Sequence, residues 1–108
     1  MVGGFGDMSH LLKQAQQMRS RLDKLESDLK ERVLEGTAGG GAVKVYINGA
    51  YEVMSVKLAK EAVDPDDVQT LEDLVQAAVS QALKKVREIK ETEMGRITGG
   101  LNLPGLGF

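Results

Sequence analysis

The sequence predicts an α+β subunit: a long helix, a three-stranded antiparallel sheet, a second long helix and a glycine-rich tail. Three observations carry this expectation. Residues 7–32 and 66–94 contain no Gly or Pro and repeat apolar residues at helical spacing. Between them lie three short β-prone stretches, two of which flank Asn48-Gly49. Glycine gathers at residues 3–6, 36–41 and 95–107, where elements would join or end. A chain of 108 residues has room for one domain, assigned to 1–94, with 95–108 as the tail.

The first helix is expected over 7–32, with Asp7 or Ser9 as its cap. Met8, Leu11, Ala15, Met18, Leu22, Leu25 and Leu29 follow at alternating steps of 3 and 4, which is a heptad seam, and Leu12 widens it. At 1.5 Å per residue the helix is about 39 Å long. So narrow a stripe on so long a helix calls for a coiled-coil-like partner, either the second helix or another copy of the chain.

Strands are expected at 33–38, 42–48 and 51–59. Asn48-Gly49 between alternating apolar residues predicts a type I′ hairpin pairing Ile47 with Ala50 and Tyr46 with Tyr51. Val43, Val45 and Ile47 then share a core face with Met54, Val56 and Leu58. The other face carries Lys44, Tyr46, Tyr51, Val53, Ser55 and Lys57. Gly39-Gly40-Gly41 is no phosphate loop: the Gly-x-x-x-x-Gly-Lys-[Ser/Thr] spacing is missing, and the loop joins strand to strand.

The second helix is expected over 65–94, with Asp64 as N-cap, Pro65 at its first position, and Asp66 and Asp67 against the positive end of the dipole. Capping grammar thus accounts for these carboxylates without a metal. Val68, Leu71, Leu74, Val75, Ala78, Val79, Ala82, Leu83, Val86 and Ile89 make a wide apolar face, suited to packing on the sheet, with the Ala residues permitting close approach. Leu101, Leu103, Leu106 and Phe108 lie in the tail.

Composition narrows the chemistry. There is no Cys and one His, so thiol nucleophiles, Cys-ligated zinc and His-based metal clusters are set aside. His10 falls in the first helical turn with no orienting group. No nucleophile elbow, His-Glu-x-x-His or nucleotide fingerprint occurs. The expectation is a non-enzyme with no cofactor, metal or small-molecule substrate. No apolar run is long enough to span a membrane, and the first residues lack a signal-peptide pattern, so a cytoplasmic protein is expected.

The net charge of −2 hides an asymmetry. From Glu61 to Leu83 there are six acidic residues and no basic one, whereas Lys84, Lys85, Arg87, Lys90 and Arg96 follow among three acidic residues. Early in the first helix stand Lys13, Arg19 and Arg21. If the two helices run antiparallel, these basic regions adjoin at one end.

Leu11-Leu12-Lys13-Gln14-Ala15-Gln16-Gln17-Met18, Val43-Lys44-Val45-Tyr46-Ile47-Asn48-Gly49, Leu71-Glu72-Asp73-Leu74-Val75-Gln76-Ala77-Ala78 and Gly99-Gly100-Leu101-Asn102-Leu103-Pro104-Gly105 together resemble the YbaB/EbfC family of bacterial nucleoid-associated proteins. The resemblance covers nearly the whole chain. It implies a tweezer-like homodimer with protruding helices that binds duplex DNA in the nucleoid and affects its organisation, gene expression or recombination and repair. Mapped residue by residue, the implied DNA contacts are Lys13, Arg19, Arg21, Lys84, Lys85, Arg87 and Lys90, with Arg96 auxiliary. The alternative is a protein-interaction scaffold that uses the helical arms and Leu-rich tail without touching DNA.

Overall fold

The computed structural model describes residues 3–99, with side chains from Met8 onward. The element order is α1 (Gly3–Glu31), β1 (Val33–Ala38), β2 (Val43–Asn48), β3 (Val53–Leu58), a short 3-10 turn (Lys60–Ala62) and α2 (Val68–Thr98). The antiparallel sheet has the order β1-β2-β3, as expected from sequence. The tail residues Leu101, Leu103, Leu106 and Phe108 lie outside the described residues.

The core is aliphatic and lies between α2 and the first two strands. Val43, Val45 and Ile47 of β2 and Ala78, Ala82 and Val86 of α2 are fully buried. Alternation along β2 turns its odd-numbered residues to one face, and steps of four bring the three α2 residues onto one stripe. Gly36 of β1 sets how closely the layers meet. A Cβ there would overlap the Ala78 carbonyl oxygen and lie 2.6 Å from the Ala82 nitrogen.

The hairpin departs from its expected geometry. Val43 pairs with Leu58, Lys44 with Lys57, Val45 with Val56 and Tyr46 with Ser55, and a bulge follows before Ile47 meets Val53. The loop is therefore wider than a two-residue type I′ turn. Asn48 is drawn inward instead of forming an exposed turn. Its Nδ2 donates to the Lys30 carbonyl (3.0 Å) and to Glu52 Oε1 (2.8 Å). Its Oδ1 accepts from the backbone N–H groups of Ala50 and Glu52, both at 2.9 Å. The Gly49 N–H donates to the carbonyls of Leu29 (2.7 Å) and Arg32 (3.0 Å). Asn48-Gly49 thus satisfies the orphan carbonyls at the end of α1 and anchors that helix to the sheet. Tyr51 takes up the resulting curvature at φ 62°, the left-handed region.

The sheet is also covered less completely than expected. Residues directly opposite in a strand pair share a face, so Val56 and Leu58 lie on the core face with Val45 and Val43. Yet every residue of β3 is exposed, because α2 lies over β1 and β2. Met54 falls beside the bulge and is exposed too.

Both helices have different limits from those expected. α1 begins at Gly3, so Asp7 and Ser9 lie inside it; Gly costs a helix about 1 kcal/mol but does not forbid helical angles. Asp64 does not cap α2. Its carboxylate accepts from the Asp66 N–H (2.9 Å) and its carbonyl from the Asp67 N–H (3.0 Å), closing a turn over 64–67. Asp67 is the N-cap, accepting from the Thr70 N–H at 3.3 Å and its hydroxyl at 2.6 Å. α2 continues through Gly95 to Thr98, and Gly99 closes it in the left-handed conformation at φ 60°.

Candidate functional site

The feature that separates this fold from a plain sheet with a covering helix is its pair of long helices. Strands of six residues reach about 20 Å, whereas α1 and α2, with 29 and 31 residues, run to about 44 and 46 Å. They are antiparallel: Glu26, Leu29 and Lys30 of α1 line one hollow with Lys90 of α2, while Gln14, Met18 and Arg21 line another with Ile97 and Thr98.

Burial along the α1 seam is graded. Leu29, at the root, is 4% exposed, and Leu25, Leu22 and Met18 are half-buried. Ala15, Leu12, Leu11 and Met8 are exposed, Met8 to 63%. The seam thus meets α2 only over its second half, since α2 has ended by the level of Met18.

The antiparallel arrangement sorts the sequence-nominated cations into two groups instead of one. Lys13, Arg19 and Arg21 lie on the outer part of the arm, and Arg96 lies near Arg21 through its neighbours Ile97 and Thr98. Lys84, Lys85, Arg87 and Lys90 lie nearer the sheet. The expected adjoining of all basic segments at one end is therefore corrected: Lys84 is twelve residues before Arg96, about 18 Å along the helix axis.

Their surroundings differ as well. Lys85 Nζ donates to the Glu35 carbonyl at 2.7 Å. Lys90 Nζ sits 4.8 Å from the centroid of the Tyr51 ring, a cation–π contact. Arg96 pairs with Glu93 at 3.2 Å. Among the described residues, Lys13, Arg19, Arg21, Lys84 and Arg87 are exposed and enter no ion pair or side-chain hydrogen bond. Lys13 and Arg21 share one face of α1 with Gln16, Gln17 and Ser20. Lys84 and Arg87 point away from the Ala78–Ala82–Val86 stripe, on the solvent side of α2.

One further cationic pair was not singled out from sequence. Lys44 and Lys57 are direct cross-strand neighbours, and Lys57 Nζ is 5.9 Å from the Tyr46 ring centroid. The simple hairpin would have set Lys44 opposite Val53, so only the bulged register brings the two together. Beside them, Glu35 faces Tyr46 across β1 and β2. A hydrogen bond to Glu35, followed by burial and by repulsion from that carboxylate, raises the Tyr46 pKa above its ordinary value of 10.0.

No group of His, Asp and Glu among the described residues could hold a metal ion, and no described helix is long and apolar enough to cross a membrane. His10 is exposed on the outer part of α1.

A family model described as the YbaB/EbfC DNA-binding family matches residues 4–101. A nucleoid-associated protein of Caldanaerobacter subterraneus subsp. tengcongensis is 50% identical over 104 residues, covering 96% of this chain and 93% of that protein. One of Pelotomaculum thermopropionicum is 48% identical over 106 residues, covering 98% and 99%. The crystal structure of an uncharacterized Helicobacter pylori protein superposes with a TM-score of 0.76 at 22% identity, over 84% of this chain and 96% of that one, and shares the fold.

Proposed function

Because the chain belongs to the YbaB/EbfC DNA-binding family, we propose that it acts as a nucleoid-associated homodimer whose helical arms contact duplex DNA through their solvent-facing cations. The supporting observation is that Lys13, Arg19, Arg21, Lys84 and Arg87, like Lys24 and Lys30, are exposed and unpaired among the described residues, on helices that outrun the sheet. Such groups neutralise phosphates and release counterions, giving an affinity that falls with salt by a slope of about −0.9 per phosphate contacted. They read backbone geometry, not base identity. The protein then works in the cytoplasm at the nucleoid as a binding protein without catalysis.

The dimer reading is supported by β3. Val53, Met54, Val56 and Leu58 are large apolar side chains left about half exposed. Burying the exposed half of each would contribute about 0.7–1.5 kcal/mol, and a second copy offers the same surface in return. The uncovered outer seam of α1 adds a second apolar strip.

Two measurements test this. Light scattering should give twice the chain mass for the wild type and the single-chain mass for Val56→Asp/Leu58→Asp. A wild type that stays single at high concentration would overturn the dimer. Fluorescence anisotropy with a duplex, from low to physiological salt, should show Lys84→Glu/Arg87→Glu and Lys13→Glu/Arg21→Glu each weakening binding and lowering the salt slope by about 2 for each subunit engaged with the duplex. Absence of binding at low salt by a confirmed dimer would favour the protein-scaffold reading.

A further inference from the structure

Lys85 and Gln81 of α2 reach past the core to the outer edge of β1. The edge matters because β1 has a neighbour on one side only. Alternate residues of such a strand turn their N–H and C=O groups outward, as a template for another strand. Thr37 and Glu35 are two of these residues. The Thr37 N–H donates to Gln81 Oε1 at 2.8 Å, and the Glu35 carbonyl accepts from Lys85 Nζ at 2.7 Å. One donor and one acceptor of the edge are thus each taken by a side chain of the opposite kind. Gln81 and Lys85 are four residues apart, so they project from the same side of α2 one turn from each other. That separation matches the two-residue step between outward-facing groups on β1.

The reach depends on Gly36, which lies between the two edge residues. Its missing Cβ lets the α2 backbone approach at Ala78 and Ala82, bringing the roots of Gln81 and Lys85 within hydrogen-bonding range of the edge. β1 also needs guarding. Its sequence, Val33-Leu34-Glu35-Gly36-Thr37-Ala38, has one charge and no Pro, and so lacks the usual devices that blunt an edge strand. Two such edges could pair antiparallel across a two-fold axis.

We propose that Gln81 and Lys85 form a clamp that closes the β1 edge to pairing with β1 of a second copy of this chain, leaving self-association to the uncovered β3 side. Lys85 is then an edge guard in the first place and not a phosphate contact. This assignment is independent of DNA binding, and its reference is the size of the wild-type protein, whatever that size is.

The test is the full-length Gln81→Ala/Lys85→Ala variant compared with wild type. Hydrogen exchange at the Thr37 amide should accelerate about tenfold or more, and light scattering should show species larger than wild type, growing with concentration. Adding Thr37→Pro should restore the wild-type size. Pro removes the outward N–H without touching the β1–β2 ladder, and is tolerated on edge strands. Unchanged Thr37 exchange would show that the contact does not protect the edge; faster exchange with unchanged size would show that it guards nothing. Either result overturns the proposal, as would large species that persist with Thr37→Pro. Should the double variant lose its helical circular dichroism, Gln81→Ala and Lys85→Ala alone carry the same readouts.

Discussion

At the scale of single residues, three positions do more than their types suggest. Gly36 is needed for want of a side chain, not for a special backbone angle. Gly36→Ala would push α2 off β1, and a denaturant melt should show a loss of about 1–3 kcal/mol, as for other overpacked cores. Asn48 makes four hydrogen bonds while 1% exposed. Asn48→Ala leaves the Lys30 carbonyl and two loop N–H groups without their partner, with an expected cost of about 2–3 kcal/mol in the same melt. Tyr46 supplies a pH readout. Its raised pKa means that the fold favours the neutral phenol. The associated stability is therefore present below the unfolded pKa near 10 and is lost as pH rises through the folded value. In a Tyr51→Phe background, ultraviolet titration should place the Tyr46 midpoint above 10, and Glu35→Gln should lower it.

At the scale of elements, α2 shows how several good start and stop signals compete. Asp64, Asp66 and Asp67 all fit helix-start grammar, and Asp67 prevails because Thr70 offers it both an N–H and a hydroxyl. Asp67→Ala should therefore destabilise the protein by about 1 kcal/mol. The far end behaves differently. Gly95 lies inside the helix with nothing within 4 Å of where a Cβ would stand. Gly95→Ala should raise stability by about 0.5–1 kcal/mol, read as a higher thermal midpoint. The strands differ in the same contextual way. β2 is buried on its α2 face because a helix lies over it, whereas β3, equally apolar, is open.

At the scale of the whole molecule, shape and charge act together. The chain measures 80 × 25 × 16 Å along its principal axes, too elongated for its single core to cover every apolar strip. The acidic run from Glu61 to Asp73 occupies the segment leading into α2 and its first turns, and the solvent-facing cations lie farther along α2, at Lys84 and Arg87, and on α1, at Lys13, Arg19 and Arg21. An approaching polyanion is repelled from one region and drawn to the other. Replacing the acidic run's Asp66 and Asp73 by Asn should consequently raise DNA affinity modestly at low salt, and the gain should vanish at high salt, where the screening length falls to about 3 Å near 1 M. A gain that persists at high salt would show a direct contact in place of a field effect.

The fold class, the buried face of β2 and the apolar stripe of α2 were legible because periodicity is local: a period of 2 or 3.6 residues needs no knowledge of distant parts of the chain. The heptad spacing along α1 was legible for the same reason. The bulged register, the true cap of α2 and the edge contacts of Gln81 and Lys85 were not. The register and the edge contacts depend on groups far apart in sequence, whereas the cap is a local contest among Asp64, Asp66 and Asp67 that Thr70 decides by giving Asp67 both an N–H and a hydroxyl. Asn48 abandons a free turn because the end of α1 has carbonyls to satisfy 18 residues away, and Lys85 meets Glu35 across 50 residues. The sequence by itself determined which elements form and which side chains each presents. Only the tertiary structure decided which of those side chains are already engaged, because one lysine becomes bound and another stays free through packing distance, which no local pattern encodes.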